Sequence, residues 1–385
     1  MSKLEELIQQ LCPDGVEYKP LGEVCKLSRG RVYSKDYLRD NPGEYPVYSS
    51  QTANDGELGK INTYDCEGDY LTWTTDGAYA GTIFHRSGKF SITNVCGLIK
   101  VENSLLTIRF LYYWLSITAK GYVYQGMGNP KLMTNQIEVI PIPLPPLPIQ
   151  EEIVRILDKF TQVTAELKAE LKARKDEYDY YRNILLNSTM NKISLKEIAI
   201  NSCSGATPLK SKTEYYINGN IPWLRTQEVV YKDIYKTECY LTEAALKNTA
   251  VRWIPANCII VAISGASAGR CAINKIPLTT NQHCLCIEID ENKAIYQYVF
   301  YCICNQYDEL IAKKEGVRGD LNSTKILSLK IPLHPLAEQQ RIVDILDRFE
   351  KLTNDMTEGI PAEIEATQQM YEYYRDKLLT FKRKE

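Results

Sequence analysis

Basic side chains recur beside glycine-containing turns, a pairing suited to contacting a phosphate backbone. Arg29 and Arg31 flank Gly30, and Lys210 with Lys212 occupies the corresponding place in the second half of the chain. Glycine lets the backbone approach phosphates, while Arg, Asn and Gln side chains can read base edges. Each cluster alone is equally typical of a solvated surface, but recurrence at equivalent places favours nucleic-acid binding.

A second pair of loops repeats this composition. Residues 313–319 carry three basic side chains around two glycines, and residues 120–131 form the counterpart loop in the first half. The predicted DNA contacts are Arg29, Arg31, Lys35, Gln51, Asn54, Thr74, Tyr79, Tyr124, Asn129, Lys131, Lys210, Lys212, Arg225, Gln227, Ser267, Arg270, Lys313, Lys314 and Arg318.

Catalytic motifs are missing from the sequence. It contains neither Gly-x-Gly-x-x-Gly nor a Gly-x-x-x-x-Gly-Lys-Ser/Thr phosphate loop, and Asn129-Pro130-Lys131 fails the amino-methyltransferase pattern at its third position. The three histidines lack a metal or triad context, and the closely spaced cysteines at 284/286 and 302/304 are typical of buried, reduced thiols. We therefore predict a chain with no catalytic residues and no metal site.

The composition is that of a soluble globular protein of two or three domains. The 385 residues are 24% charged and 44% hydrophobic, with a net charge of −2 and 27 Tyr against 7 Phe. No run approaches the roughly 18 apolar residues of a membrane span, and acidic residues near the N-terminus argue against a signal peptide, so we expect a cytoplasmic location.

An internal repeat organises the chain. Ile153-Val-Arg-Ile-Leu-Asp-Lys-Phe160 recurs as Ile342-Val-Asp-Ile-Leu-Asp-Arg-Phe349, and Gly77-Ala-Tyr-Ala-Gly81 recurs as Gly265-Ala-Ser-Ala-Gly269. Further matches occur in the same order, so the sequence predicts two copies of a unit of about 190 residues. Each copy comprises a variable part and a similar long helix.

The variable parts, at about 12–145 and 191–335, favour α+β domains. We predict strands at Tyr70–Thr74, Ser91–Val95 and Cys258–Ile263, and short helices at Thr107–Ile117 and Ala294–Asn305. The predicted domains are 1–148, with a short N-terminal helix, then a helix at 149–188, a second domain at 189–336 and a second helix at 337–385.

The two long helices carry heptad seams, which predict that they pack on each other as a coiled coil; the alternative is that each helix docks on its own domain. Met356 is assigned to the second seam, which is then interrupted by four extra residues. Gly359-Ile360-Pro361 resembles a C-cap followed by a first-turn proline, so we predict a kink near 359–361. The predicted seam and partner-binding positions are Ile153, Leu157, Phe160, Leu167, Leu171, Tyr178, Tyr181, Ile342, Leu346, Phe349, Tyr371 and Tyr374.

These features together resemble the specificity (S) subunit of Type I restriction-modification systems, over essentially the whole chain. The motifs that carry the resemblance are Ile142-Pro-Leu-Pro-Pro-Leu-Pro-Ile-Gln150 with Ile331-Pro-Leu-His-Pro-Leu-Ala-Glu-Gln339, and Ser204-Gly-Ala-Thr-Pro208. Thr164-Ala-Glu-Leu167 and Lys168-Ala-Glu-Leu171 resemble the tetrad repeat of some members' central helix.

The resemblance implies two target-recognition domains in a pseudo-two-fold repeat, each binding half of a bipartite double-stranded DNA site. It also implies that the helices form an antiparallel coiled coil, which sets the spacer and docks two modification (methyltransferase) subunits. S-adenosylmethionine would then be bound by those partners, and ATP with Mg by restriction subunits, with no cofactor on this chain. The main alternative is a two-lobed coiled-coil scaffold that does not bind DNA.

Overall fold

The computed structural model describes residues 3–126, 128–187, 192–313 and 321–384. Two compact units are present: unit 1 comprises Met1–Leu167 with Ile364–Glu385, and unit 2 comprises Lys168–Glu363. Because these units divide the chain within its helices, they do not test the domain boundaries predicted from the sequence, which stay a prediction.

The described residues form thirteen α-helices and five single 3-10 turns. The helices are α1 (Lys3–Leu11), α2 (Leu21–Val24), α3 (Lys35–Asp40), α4 (Ile108–Thr118), α5 (Thr134–Ile137), α6 (Leu147–Leu186), α7 (Leu195–Ile198), α8 (Glu243–Asn248), α9 (Tyr296–Asn305), α10 (Tyr307–Ala312), α11 (Ser323–Leu327), α12 (Leu336–Asn354) and α13 (Ile360–Leu378). The 3-10 turns are Ala53–Gly56, Ala119–Tyr122, Thr213–Tyr215, Thr226–Glu228 and Gly265–Ser267.

Twenty strands complete the described structure. They are β1 (Tyr18–Pro20), β2 (Cys25–Arg29), β3 (Pro42–Tyr48), β4 (Glu57–Ile61), β5 (Cys66–Glu67), β6 (Tyr70–Thr74), β7 (Ile83–Arg86), β8 (Lys89–Ile92), β9 (Cys96–Val101), β10 (Pro141–Pro143), β11 (Lys192–Ser194), β12 (Ala199–Ser204), β13 (Ile221–Leu224), β14 (Asp233–Ile234), β15 (Cys239–Leu241), β16 (Ile259–Ala262), β17 (Cys271–Asn274), β18 (Thr279–Thr280), β19 (Cys284–Ile289) and β20 (Lys330–Pro332).

The described residues of each unit form three sheets, in which the strands common to both units follow the same order. In unit 1 they are β1-β10, β2-β9-β6-β7 and β4-β3-β8-β5; in unit 2 they are β11-β20, β12-β19-β16-β17-β14 and β15-β13-β18. The predicted α+β class and the internal repeat are therefore confirmed. Of the predicted strands, Tyr70–Thr74 is present as predicted, whereas β8 ends at Ile92 because the chain turns at Thr93 and pairs there only as an isolated bridge.

The central strand of unit 2 shows how alternation builds two cores. Ile259 and Val261 of β16 pack into the cluster that also contains α9, while Ile260 and Ala262 face a second cluster on the other side of the sheet. All four side chains are fully buried. A strand that is covered on both faces needs apolar residues at every position. This explains why the residues Cys258–Ile263 are continuously hydrophobic.

One buried glutamine in each unit ties the long helix to the domain. Gln150, at the start of α6, accepts a hydrogen bond from Thr107 N (2.8 Å) and donates to Leu105 O (2.7 Å). Gln339, near the start of α12, accepts from Ile295 N (2.8 Å) and donates to Lys293 O (3.3 Å). We call these contacts the glutamine bridges; they satisfy backbone groups at the N-termini of α4 and α9.

The long helices follow the predicted seam within each unit. In unit 1 Ile153 and Leu157 are fully buried, and Phe160 stacks on Tyr374 with ring centroids 5.6 Å apart. In unit 2 Phe349 stacks on Tyr181 at 5.9 Å. The pairs are equivalent in the repeat, because Phe160 corresponds to Phe349 and Tyr181 to Tyr374.

The predicted interruption of the second helix is present, but two of its details are wrong. The helix ends at Asn354, where Asp355 leaves the helical conformation and its side chain accepts from Thr357 N (2.7 Å). Gly359 precedes α13 instead of capping α12, and Met356 lies in the connection with 60% of its surface exposed. Met356 is therefore not a seam residue, because the helix that would direct it inward has already ended.

Candidate nucleic-acid interface

Several loops of unit 1 converge beyond the ends of its sheets. Gly77 N donates to Pro130 O (3.0 Å) and Leu132 N donates to Thr75 O (2.9 Å), which joins the loop at 75–81 to residues 128–133. The loop at 93–95 is attached through Arg29. We call this group, with residues 29–35 and 49–57, the first loop edge.

Arg29 holds these loops together through its hydrogen bonds. Its guanidinium donates to Asn94 O (2.5 Å) and Thr75 Oγ1 (3.1 Å) and lies 4.0 Å from Asp76. Arg31 donates to Tyr33 Oη (2.9 Å) and Asp65 Oδ2 (3.1 Å), yet its side chain is 56% exposed. Of the two predicted contacts, Arg31 is thus the one available to an anionic ligand.

The turn at 74–82 presents Tyr79 to solvent. Gly81 N donates to Thr74 O (2.9 Å), and Gly77 and Gly81 adopt positive φ values of 93° and 83° that favour glycine. Tyr79, at the tip, is 58% exposed, whereas Thr74 is fully buried with its hydroxyl bonded to Tyr79 O. The structure does not support Thr74 as a DNA contact, because a buried hydroxyl shapes the turn without reaching its surface.

Tyr124, Asn129 and Lys131 occupy the loop beside this turn. Tyr124 N donates to Lys131 O (2.8 Å), and Tyr124 is 64% exposed. Lys131 Nζ lies 3.8 Å from Asp76 Oδ1, with about half of its side chain in solvent. Asn129 is also exposed. This loop therefore offers an aromatic ring, an amide and a cation on one surface.

The loop at 49–57 is held by an arginine that sequence reasoning missed. Arg86 is buried, donates to Asp55 Oδ2 (2.5 Å) and stacks on the Tyr48 ring at 3.7 Å. Gln51 Nε2 donates to Glu57 O (2.5 Å), and Asn54 adopts a positive φ of 49° at the exposed tip. No motif around Arg86 could have revealed this position, because its partner is 31 residues distant.

Lys35 is exposed in the first turn of α3. In unit 2 Lys210 and Lys212 are likewise exposed, and Lys212 Nζ lies 3.3 Å from Tyr215 Oη. Gly205, beside them, approaches Thr280 so closely that a Cβ atom would lie 1.8 Å from the carbonyl oxygen. Gly30 makes the same approach to Ile92 in unit 1, so the predicted equivalence of these two segments extends to their backbones.

The second loop edge comprises residues 205–212, 225–228, 263–270 and 280–283. Thr207 Oγ1 bonds Gln282 Oε1 (2.5 Å), and Ile263 N donates to His283 O (2.9 Å). Arg225 is engaged internally, since it donates to Glu238 Oε2 (2.8 Å) and lies 3.8 Å from Glu228. Gln227, next to it, is exposed.

The turn at 262–270 repeats the geometry of the turn in unit 1. Gly269 N donates to Ala262 O (2.8 Å), and Gly265 and Gly269 have φ values of 68° and 91°. Ser267 and Arg270 are half-buried around it. Lys313 Nζ pairs with Glu309 (2.8 Å), and the predicted contacts Lys314 and Arg318 lie outside the described residues.

The helix seam leaves aromatic side chains uncovered. Leu167, Leu171, Tyr178 and Tyr371 are half-buried, and Ile342 and Leu346 are buried. Tyr180 and Tyr373, which sequence reasoning did not single out, are 62% and 63% exposed. They occupy equivalent places in the two repeats, each with its ring edge against the adjacent seam tyrosine.

Within the described ranges, no group of three or more His, Cys, Asp or Glu residues could hold a metal ion. The same residues include no helix that is long and apolar enough to cross a membrane.

Comparison with known proteins agrees with this duplicated architecture. The family described as Type I restriction modification DNA specificity domain matches twice, at residues 13–174 and 187–366. A Type I restriction enzyme specificity subunit of Escherichia coli is 33% identical over 417 residues, covering 100% of this chain and 98% of that protein. A putative type I specificity subunit of Mycoplasma pneumoniae is 30% identical and covers 92% of this chain and 95% of that protein.

Solved structures show the same fold. The S subunit of a Type I restriction-modification system from M. genitalium superposes with a TM-score of 0.61 at 14% identity, covering 95% of this chain and 96% of that chain. The S subunit from Thermoanaerobacter tengcongensis gives a TM-score of 0.54 at 15% identity, covering 96% and 97%.

Proposed function

The chain belongs to the Type I restriction-modification DNA specificity family, and from this premise we propose that it supplies sequence recognition to such a complex. Each loop edge binds one half of a bipartite target in double-stranded DNA. The observation that supports this most directly is the duplicated glycine turn, which has a similar backbone in both units but a different residue at its tip, Tyr79 in unit 1 and Ser267 in unit 2. A shared scaffold with divergent tips suits recognition of two unlike half-sites.

The exposed side chains of the loop edges fit this role. Arg31, Lys35 and Lys131 offer charge to phosphates in unit 1, and Tyr79 and Tyr124 offer rings that combine an apolar face with a hydroxyl. Lys210, Lys212 and Arg270 occupy corresponding loops in unit 2. Arg29 and Arg225 instead position the loops, because their guanidinium groups are engaged internally and each side chain is only 29% exposed.

The remaining functions are assigned to partner chains. We propose that the helices dock two modification subunits, and Tyr180 and Tyr373 support this because equivalent exposed rings suit two copies of one partner. S-adenosylmethionine would be bound by those subunits, and ATP with Mg by restriction subunits, so this chain itself would be non-catalytic. Action on cellular DNA implies a cytoplasmic location.

The length of α6 is proposed to set the spacer between half-sites. Its 40 residues correspond to about 60 Å at ~1.5 Å per residue. Deleting Lys168–Leu171 shortens the helix by ~6 Å, and the preferred spacer is expected to contract by one or two base pairs. Methylation mapping with the deleted chain in an intact complex checks this; an unchanged spacer contradicts it.

A domain exchange tests the recognition proposal. Residues 12–145 are replaced by those of another family member, and methylated adenines are mapped in cells that express the partner subunits. We expect one half-site to change and the other to persist. A change in both halves would contradict modular recognition.

The alternative, a scaffold that does not bind DNA, makes a different prediction for the reconstituted complex. Binding to duplex DNA through phosphate contacts weakens steeply with salt. A gel-shift series at increasing salt is therefore expected to show loss of the complex, and Lys131→Ala with Arg31→Ala should reduce the slope by about one ion per lost contact. Absence of any shift at low salt would favour the scaffold.

A further inference from the structure

Two cysteines of unit 2 face each other across the boundary between sheet and helix. Cys271 begins β17 and Cys304 lies in the last turn of α9, and their Sγ atoms are 3.2 Å apart. A disulfide bond is about 2.05 Å long, so closure needs a movement of little more than 1 Å. We propose that Cys271 and Cys304 are a site of reversible oxidation that cross-links this sheet to this helix.

Of the two thiols, Cys304 is the one that can be reached from a cavity. Cys271 is completely buried, whereas Cys304 lines a cavity of about 420 Å³ together with Arg182, Tyr231 and Glu350. A small hydroperoxide can therefore reach Cys304 first. Cys271 is the resolving thiol, since it contacts Cys304 and has no path of its own to solvent.

The reaction balances with a hydroperoxide as the two-electron oxidant. With hydrogen peroxide, the Cys304 thiolate attacks one oxygen, the O–O bond breaks, and Cys304 becomes a sulfenic acid; the leaving hydroxide takes up the proton that the thiol lost and departs as water. Cys271 sulfur then attacks the sulfenic sulfur, the S–O bond breaks, and a second water leaves as the disulfide forms. The two sulfur atoms lose two electrons in total, and the peroxide gains them.

The residues around Cys304 make this oxidation slow, and the disulfide that forms is expected to stabilise the folded chain. Burial raises the pKa of the Cys304 thiol well above its usual range, and the neighbouring carboxylate of Glu350 adds to this while Arg182 opposes it. The thiolate is therefore scarce. Once formed, the bond closes a loop of 33 residues and restricts the unfolded chain, so the oxidised protein is expected to unfold at a higher temperature.

The test uses the full chain, treated with hydrogen peroxide and then alkylated with N-ethylmaleimide in denaturant. The expected product carries two fewer maleimide groups than the untreated chain, and a non-reducing digest contains a peptide pair joined through Cys271 and Cys304. Treatment with dithiothreitol should restore both thiols and the lower unfolding temperature.

Two cysteine variants test whether the cross-link joins Cys271 and Cys304 specifically. Cys304→Ala is expected to leave Cys271 reduced and to abolish the linked peptide, while Cys203→Ala, which removes another half-buried thiol of the same unit, should leave the cross-link intact. A link between other cysteines, or oxidation of Cys304 to sulfinic acid with Cys271 still free, would overturn the proposal. Neither result bears on DNA recognition, which the cross-link does not require.

Discussion

The two units use the same contacts to attach domain to helix but different charges beside them. In unit 1 Tyr113 Oη donates to Asp158 Oδ1 (2.5 Å); in unit 2 the equivalent Tyr301 donates to Asp347 Oδ1 at the same distance. Arg109 also bonds Asp158 in unit 1. Repetition thus preserved the tyrosine–aspartate contact while the residues around it diverged.

Unit 2 has no arginine at the equivalent place and has an additional acid, while Lys275 and Lys232 lie near its carboxyl groups. Gln297 occupies the place of Arg109, and Glu350, which takes the place of Thr161, accepts from Tyr301 Oη (2.9 Å). Burial raises the pKa of both Asp347 and Glu350; the carboxylate of Asp347 raises the pKa of Glu350 further, and that of Asp233 raises both. The comparison teaches that the same hydrogen bond can be kept while the charged residues around it change.

The largest expected effect tests the feature that the units share. Gln150 also donates to Pro145 O and Gln339 to His334 O. Gln150→Leu and Gln339→Leu therefore each leave one backbone N–H and two carbonyl groups without this partner, so each should lower the free energy of unfolding by about 3 kcal/mol. Urea unfolding measures this, and the exposed neighbour Gln340→Ala should change it by less than about 0.5 kcal/mol. If only one of the two variants lowered the free energy of unfolding by this amount, the glutamine bridges of the two units would not be equivalent.

The aromatic contacts between the helices should give a smaller and unequal effect. Phe160 meets one tyrosine ring, whereas Phe349 meets both Tyr178 and Tyr181. We expect Phe160→Ala to cost about 2 kcal/mol and Phe349→Ala about 1 kcal/mol more, because an aromatic pair contributes about 0.5–1.5 kcal/mol beyond its buried area. Hydrogen exchange in peptides from each unit would locate the loss.

The exposed tyrosines provide the matched control for that experiment. Tyr180→Ala and Tyr373→Ala remove rings that lie mostly in solvent, so the free energy of unfolding should change by no more than about 0.5 kcal/mol. Under the proposed function they should instead weaken assembly with the modification subunits, measured by analytical ultracentrifugation. Full assembly by the double variant would contradict the proposed docking site.

The sequence predicts the repeat, the α+β class and the interruption before α13 because periodicity and turn residues are local signals. It does not predict which cations are free. Arg29 and Arg31 are separated by one residue, yet Arg29 is engaged by three oxygen-bearing neighbours and Arg31 remains half exposed. The oxygens that engage Arg29 come from residues 46 to 65 positions away, and only the folded chain brings them together.

The smallest predicted effect concerns the different charged residues around the tyrosine–aspartate contact in the two units. Because Asp347 and Glu350 have raised pKa values in the folded state, folding binds protons, and the stability of unit 2 should fall as pH rises from about 4, the ordinary carboxyl value. Gln297→Arg would restore the cation found in unit 1 and should reduce this loss by an amount on the order of 1 kcal/mol at pH 7.

Unfolding in urea between pH 4 and 8, with hydrogen exchange assigning the change to unit 2, measures the effect. Gln297→Met is the control, because it removes the amide and supplies no charge. If the Arg and Met variants show the same pH dependence, the carboxylates of unit 2 do not respond to a neighbouring cation, and the difference between the units lies in packing instead of charge.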